Sequence, residues 1–209
     1  GAWCAEEISK TASTQLLDIG TGTGLLSLMI AQKNSLKIDA IEIDEEAAQQ
    51  ASENMALSPW KENSKVIHED IAAFKAGKKY DCIVSNPPFY ENELSSPQER
   101  KNLAHHSSQL SIAQLLNLIK DLLAGEGVFF LLLPFKRIKE AEELIGQRQF
   151  FIHKKVVVHP SVSHPPFRIM FMCSPKNKKT SSSQIFIRDE SQHYTPAFVT
   201  LLKDYYLYL

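Results

Sequence analysis

The strand-like apolar run Tyr80 to Val84 ends in Ser85-Asn86-Pro87-Pro88-Phe89-Tyr90. Two prolines cannot continue a sheet ladder, so the strand stops in a stiff polar corner. Asn86 Oδ1 and the Pro87 carbonyl can accept the two protons of a planar amino group, and the prolines fix the carbonyl's direction. Phe89 offers a face for a flat ring to stack on. The amine of adenine or a side-chain amide is a poor nucleophile because its lone pair is delocalised. Acceptors on its protons hold it in place and favour the charge that builds on nitrogen during attack. Catalytic roles are therefore expected of Asn86, Pro87 and Phe89, with Pro88 and Tyr90 beside the substrate. Ser85 lacks a histidine–acid partner and reads as a strand-end hydroxyl.

A second chemical stretch is Asp18-Ile19-Gly20-Thr21-Gly22-Thr23-Gly24. Strand, glycine loop and helix follow in that order, as in nucleotide-binding folds. Glu42 ends the next apolar run, where a carboxylate can take ribose hydroxyls; that suits a dinucleotide or S-adenosylmethionine. The usual pyrophosphate form Gly-x-Gly-x-x-Gly is absent, and Asp18 would repel a pyrophosphate. Both features favour a ligand with a cationic end and no phosphate, which is S-adenosylmethionine. Asp70 can accept from the adenine amine of that cofactor, and Ile43 and Ile71 can sandwich its ring. Plainer readings stay open: a turn cap for Asp18, a helix-entry acid for Glu42, a loop acid for Asp70 and core packing for the two isoleucines.

These residues must be positioned by strands and helices, and the pattern supplies them. Apolar runs Thr14–Ile19, Lys37–Ile41, Ser64–His68, Tyr80–Ser85 and Val128–Leu133 alternate with helical stretches Leu25–Gln32, Glu45–Leu57 and Ser111 to about Leu123. Asp44 and Ser111 are helix caps, and Gly125 and Gly127 mark a turn into the fifth strand. The alternation predicts an α/β fold, a mostly parallel sheet with helices on both faces. A helix over Ile138–Ile145 follows. Phe150–Val158 and Phe167–Cys173 are joined by too few residues for a crossover helix and are expected to pair antiparallel. Ile185–Arg188 suits an edge strand, and Thr195 caps a last helix with Pro196 in its first position. The polar stretch 91–108 is expected to be a substrate-side loop, and 175–209 an extension packed on a single domain, 1–209.

The chain has 209 residues, of which 44% are hydrophobic, enough for one sizeable core. Residues 1–90 hold 8 Lys/Arg against 13 Asp/Glu, and 91–209 hold 15 against 11, so the basic charge lies in the second part. Cys4, Cys82 and Cys173 have no metal-ligand spacing and read as thiols of a reducing compartment, which points to the cytoplasm and to no metal. No apolar run reaches membrane-spanning length.

The glycine loop and Asn86-Pro87-Pro88-Phe89 together resemble the class I S-adenosylmethionine-dependent methyltransferases of planar amino nitrogens. Within them, the chain is similar to the bacterial enzymes that methylate adenine N6 in tRNA. That similarity rests on Arg100-Lys101-Asn102-Leu103-Ala104-His105-His106, Pro165-Pro166-Phe167-Arg168, Ile187-Arg188-Asp189-Glu190, Tyr194-Thr195 and Leu202-Lys203-Asp204-Tyr205-Tyr206-Leu207. It implies a Rossmann-like seven-stranded sheet with its last strand antiparallel, and methylation of the adenine beside the anticodon of a valine tRNA. It also implies about 30 residues ahead of Gly1. Phe89 stands where the family more often has tyrosine, and His105 where it often has arginine.

A monomer is expected to hold the tRNA anticodon loop with Arg100, His105, Lys136, Arg137, Lys154, Lys155 and Arg168. Arg168, beside Pro165-Pro166, is the foremost of these. Two other readings remain: an N5-glutamine methyltransferase acting on a protein such as a release factor, and a nucleic-acid-binding module with a degenerate cofactor site.

Overall fold

The computed structural model describes residues 1–87 and 110–208. The expectations placed on Pro88, Phe89, Tyr90, Arg100, His105 and the 91–108 loop lie outside the described residues.

Among the described residues, eight strands form one sheet. They are β1 (Gln15–Ile19), β2 (Lys37–Glu42), β3 (Ser64–His68), β4 (Tyr80–Ser85), β5 (Leu123–Pro134), β6 (Phe151–Ser161), β7 (Arg168–Ser174) and β8 (Ser181–Arg188). Their order is β3-β2-β1-β4-β5-β7-β6-β8. β7 runs antiparallel to both neighbours, β5 and β6, while the other pairings are parallel. The first seven strands thus give the expected class I arrangement, with β7 reversed. β8 continues the sheet beyond β6, and it is longer than the four residues the sequence suggested.

Helices cover both faces because the central strands are apolar on both sides. Successive residues alternate between the two cores. Leu17, Ile83, Phe129 and Phe171 pack with α4 (Ile112–Leu122) and α5 (Ile138–Gln147). Leu16, Cys82, Val84 and Phe130 pack on the other side with α1 (Ala2–Ile8), α2 (Leu25–Ala31) and α3 (Glu45–Ala56). Residues of α6 (Pro196–Leu202) and of the turn after it join that second face.

The caps are as the sequence predicts. Asp44 accepts from Ala47 N, Thr195 from Phe198 N, and Ser111 forms a reciprocal capping box with Gln114. Two further elements differ. α1 was not foreseen. β5 starts at Leu123, directly from α4, so Gly125 and Gly127 lie inside the strand rather than in a turn before it. An irregularity in the β4–β5 register between Tyr80 and Cys82 accommodates them, and a Cβ on Gly127 would come within 3.0 Å of Asp81 O.

The chain moves outward through β1, β2 and β3, then crosses back to place β4 on the other side of β1. That reversal is a topological switch point, and its crevice lies at the carboxyl ends of β1 and β4. Asp18 and the glycine loop end one strand; Ser85 and Asn86 end the other.

Candidate active site

Gly20, Gly22 and Gly24 all have positive φ, at 71°, 57° and 85°. Such angles are cheap only for glycine. A Cβ on Gly20 or Gly22 would meet nothing within 4 Å, so the loop borders open space there. At Gly24 a Cβ would sit 3.3 Å from Met55 Cε and 3.4 Å from Ala51 Cβ, so that glycine also lets α2 approach α3.

The loop is braced by its neighbours. Gly20 N and Thr21 N donate to Ile41 O at 2.9 and 3.0 Å. Gly22 N donates to Glu42 Oε2 at 2.8 Å, and Asn54 Nδ2 donates to Thr23 O at 2.9 Å. Glu42 Oε1 accepts from Ile43 N and Asp44 N. Three backbone N–H groups therefore use most of the roughly four lone-pair directions of this carboxylate. Glu42 holds the glycine loop shut against β2, and taking both ribose hydroxyls would require Gly22 N–H to release its oxygen.

Asp18 is fully buried. Its Oδ2 accepts from Thr21 Oγ1 at 2.7 Å and from Ser27 Oγ at 2.8 Å, while Oδ1 has no partner among the described residues. Burial pushes this carboxyl up from its ordinary 3.8 to about 6, against the pull of the two hydroxyls, with Glu42 adding to the rise. A buried carboxylate oxygen without a donor is costly unless a ligand supplies one. An ammonium beside the loop would do so, a sulfonium would offset the charge without donating, and a phosphate would do neither.

Asp70 Oδ1 caps the turn after β3 through Ala72 N at 2.9 Å, which leaves its other oxygen as the one that can meet an exocyclic amine. Ile43 is 49% exposed and able to cover a ring. Ile71 is packed in the core with Leu17, Ile19 and Ile41. Across the switch point, Asn86 is exposed and Pro87 half-buried, so the polar corner faces outward. Ser85 Oγ, 3% exposed, donates to Ile19 O at 2.8 Å and ties that corner to β1.

Among the described residues, the basic candidates are not gathered in one channel. Lys154 and Lys155 are neighbours on β6 and point to opposite faces. Lys154 Nζ meets Glu7 Oε2 of α1 at 2.6 Å, and Lys155 Nζ meets Glu142 Oε1 of α5 at 2.8 Å. Arg137 makes a two-bond pair with Glu140, at 2.9 and 2.7 Å. Lys136, Arg137 and Arg168 do share the edge that carries Asn86. Arg168 pairs with Pro134, and the other two follow Pro134 in the chain.

Sequence reasoning missed Thr21, Ser27 and Asn54 as supports of the loop. Ser27 had a signal, a lone hydroxyl within Leu25-Leu26-Ser27-Leu28-Met29-Ile30. Asn54 had none, because nothing local distinguishes it from a solvated helix residue.

The methyltransferase small domain family matches residues 3–113. A tRNA1(Val) (adenine(37)-N6)-methyltransferase from Parabacteroides distasonis is 35% identical over 99% of this chain and 87% of its own length. The enzyme of the same name from Trichodesmium erythraeum is 36% identical, with the same coverages. Among solved structures, a predicted O-methyltransferase from Agrobacterium tumefaciens superposes with a TM-score of 0.71 at 14% identity, over 95% of each chain. A glycopeptide N-methyltransferase complexed with S-adenosyl-L-methionine superposes with a TM-score of 0.61 at 12% identity, over 85% of this chain and 88% of that one.

Proposed function

The chain belongs to the methyltransferase small domain family, and from that membership we propose that it methylates N6 of adenine 37 in tRNA1(Val) with S-adenosylmethionine as donor. Its relatives over nearly the whole chain carry the name of that activity. The observation that carries the chemistry is the Ser85–Ile19 bond, which sets an amine-accepting corner beside a loop suited to a cationic nucleotide-like cofactor.

The residues fit the cofactor. Asp18 Oδ1 is a buried acceptor awaiting a cation, and the space over Gly20 and Gly22 is open. Thr21 and Ser27 hold Oδ2 and so fix the direction of Oδ1. Asp70 and the exposed Ile43 stand at the ends of β3 and β2, where the adenine end would lie. When bound, S-adenosylmethionine supplies an electrophilic methyl on a positively charged sulfur.

The chain's own part is to position and polarise the acceptor amine. Asn86 Oδ1 and the Pro87 carbonyl accept its two N–H bonds, which keeps the nitrogen in line and stabilises the positive charge it gains. The surplus proton then leaves to water, since Asn86 is exposed. Glu42 and Asn54 keep the glycine loop from moving while this happens.

The substrate is an RNA base taken out of its stack, the usual requirement for chemistry on a base. Arg168, Lys136 and Arg137 stand at the same sheet edge to meet RNA phosphates. Among the described residues no group of three His, Cys, Asp or Glu could hold a metal ion, and no helix is long and apolar enough to cross a membrane. This reading further places the protein in the cytoplasm, where tRNA is modified and where the free thiols Cys4, Cys82 and Cys173 stay reduced. It also takes the acting unit to be a monomer, since the glycine loop and the corner come from one chain.

The test is methyl transfer from labelled S-adenosylmethionine to a panel of individual unmodified tRNAs, followed by nucleoside analysis. Label in N6-methyladenosine of tRNA1(Val) is expected. Label in a protein glutamine, with none in tRNA, would overturn the reading.

A further inference from the structure

Phe167 is a large apolar side chain that is 39% exposed and belongs to neither apolar core. It is nevertheless rigidly placed. The pair Pro165-Pro166 precedes it, its N–H donates to Val158 O at 3.0 Å, and its carbonyl accepts from Phe135 N at 3.0 Å. The backbone is thus held on one side by the end of β6 and on the other by the turn that follows β5. The Arg168 guanidinium lies 5.6 Å from the centre of the Phe167 ring.

The register locates this ring relative to the amine-accepting corner. Ser85 pairs with Leu131, and Pro134, three residues further along β5, pairs with Arg168. Phe167 therefore stands two strand spacings from Asn86, roughly 10 Å across, and roughly 10 Å further out along the strand direction. That is too far for one base to touch both residues. It is within reach of an unpaired nucleotide close to the one Asn86 holds. An exposed ring on a stiff support, with a guanidinium beside it, is the arrangement that binds single-stranded nucleic acid: the base stacks and the cation meets the phosphate.

We propose that Phe167 is a stacking platform for an unpaired nucleotide flanking the methylated adenine, with Arg168 as its phosphate partner. The proposal rests on the reading of the chain as a tRNA adenine methyltransferase. It gives that enzyme a second base contact on the same sheet edge, and hence a source of preference for a loop over a duplex.

The experiment uses the full chain and unmodified tRNA1(Val), comparing wild type with Phe167→Ala, Phe167→Leu and Phe167→Trp. The Ala and Leu variants should raise KM for tRNA about tenfold. The kcat and the KM for S-adenosylmethionine should stay within about twofold of wild type, and Trp should restore tRNA affinity. A series of tRNAs made abasic at each unpaired position near the target adenine locates the partner. At one position the wild type should lose about tenfold, and Phe167→Ala should lose nothing further. An unchanged tRNA KM in both Ala and Leu variants overturns the proposal. So does a loss that Trp does not repair, or one matched by a fall in Tm or in cofactor affinity. If the wild type itself labels no tRNA, the assignment of function fails first and this proposal with it; active wild type with indifferent Phe167 variants sinks the stacking platform alone.

Discussion

Ser85 Oγ donates to the Ile19 carbonyl at 2.8 Å, joining the strand that presents the amine acceptors to the strand that presents the glycine loop. The two residues are also register partners. One buried hydroxyl therefore helps fix the distance between donor side and acceptor side. Ser85→Ala removes the bond without changing any group that touches a ligand. It should cost about 1 kcal/mol of stability. It should lower kcat about tenfold through misplacement of Asn86, because small displacements are expensive in an in-line reaction. Affinity for S-adenosylmethionine, measured by calorimetry, should stay near wild type. A parallel loss of cofactor affinity would show that the bond shapes the loop and not the corner.

Asp18 makes cofactor binding depend on pH. Burial, the largest influence, lifts its carboxyl to about 6. A cationic ligand beside Oδ1 favours the charged form, so binding below that pH must expel a proton. The Kd for S-adenosylmethionine should be flat above about pH 6.5 and weaken by up to tenfold per unit below about pH 6. Asp18→Asn should bind more weakly and lose this dependence. Calorimetry between pH 5 and about 8 measures both. An Asp18→Asn profile parallel to wild type would assign the dependence to another group.

The same carboxyl has an opposite effect on the stability of the cofactor-free chain. A folded-state value raised above the ordinary 3.8 means that the folded chain keeps a proton the unfolded chain has released. The contribution is complete below about pH 4 and is lost as pH rises through about 6. At neutral pH the buried charge costs on the order of 3 kcal/mol. Asp18→Asn should therefore be more stable than wild type at pH 7.5 and close to it at pH 4.5, by denaturant unfolding without cofactor. Equal gains at both pH values would mean that packing, and not charge, sets the difference.

The glycines should not be equivalent. Gly22→Ala faces open space and bears only the strain of φ at 57°, about 1 kcal/mol. Gly24→Ala adds contacts at 3.3 and 3.4 Å against Met55 Cε and Ala51 Cβ, so the Met55 side chain must give by a few tenths of an ångström where α2 meets α3. It should be the more destabilising of the two, by about a further 1 kcal/mol. Thermal unfolding ranks them directly, and a reversed order would contradict the crowding at Gly24.

Much of this architecture was legible because the relevant signals are local. Asp44, Ser111 and Thr195 are caps that sit where the apolar period changes, and the alternation of strand and helix dictates a parallel sheet. Asp18 and Asn86 stood out because a polar residue ends an apolar strand in each case. What was illegible depends on partners remote in sequence. α1 is seven residues long with no side-chain cap, and it is held by burial of Trp3, Ala5 and Ile8 against a sheet that forms later in the chain. Glu42 stood out as a ligand residue because it ends an apolar strand, but nothing local showed that its carboxylate also accepts from Gly22 N of the remote glycine loop and from Ile43 N and Asp44 N just after it. Lys154 was expected to hold RNA, and only the pairing of β6 shows it beside Glu7.

That last contact separates structural from substrate-facing cations. Glu7 is only 7% exposed. Burial alone would raise its carboxyl, but hydrogen bonds from Lys154 and Lys10 more than offset this and hold it below the usual range. Lys154→Ala leaves that carboxylate with Lys10 alone. The change should cost about 1–2 kcal/mol, discounted because Lys154 is itself partly exposed. In a chain of this size that is a fall in Tm of about 2–8 °C. The tRNA KM should barely move. Arg168→Ala should behave in reverse, with Tm near wild type, tRNA KM raised and a shallower dependence on salt, as expected when a phosphate contact is removed. If Lys154→Ala instead weakens tRNA binding at unchanged Tm, the Glu7 pair opens in solution and Lys154 faces the RNA.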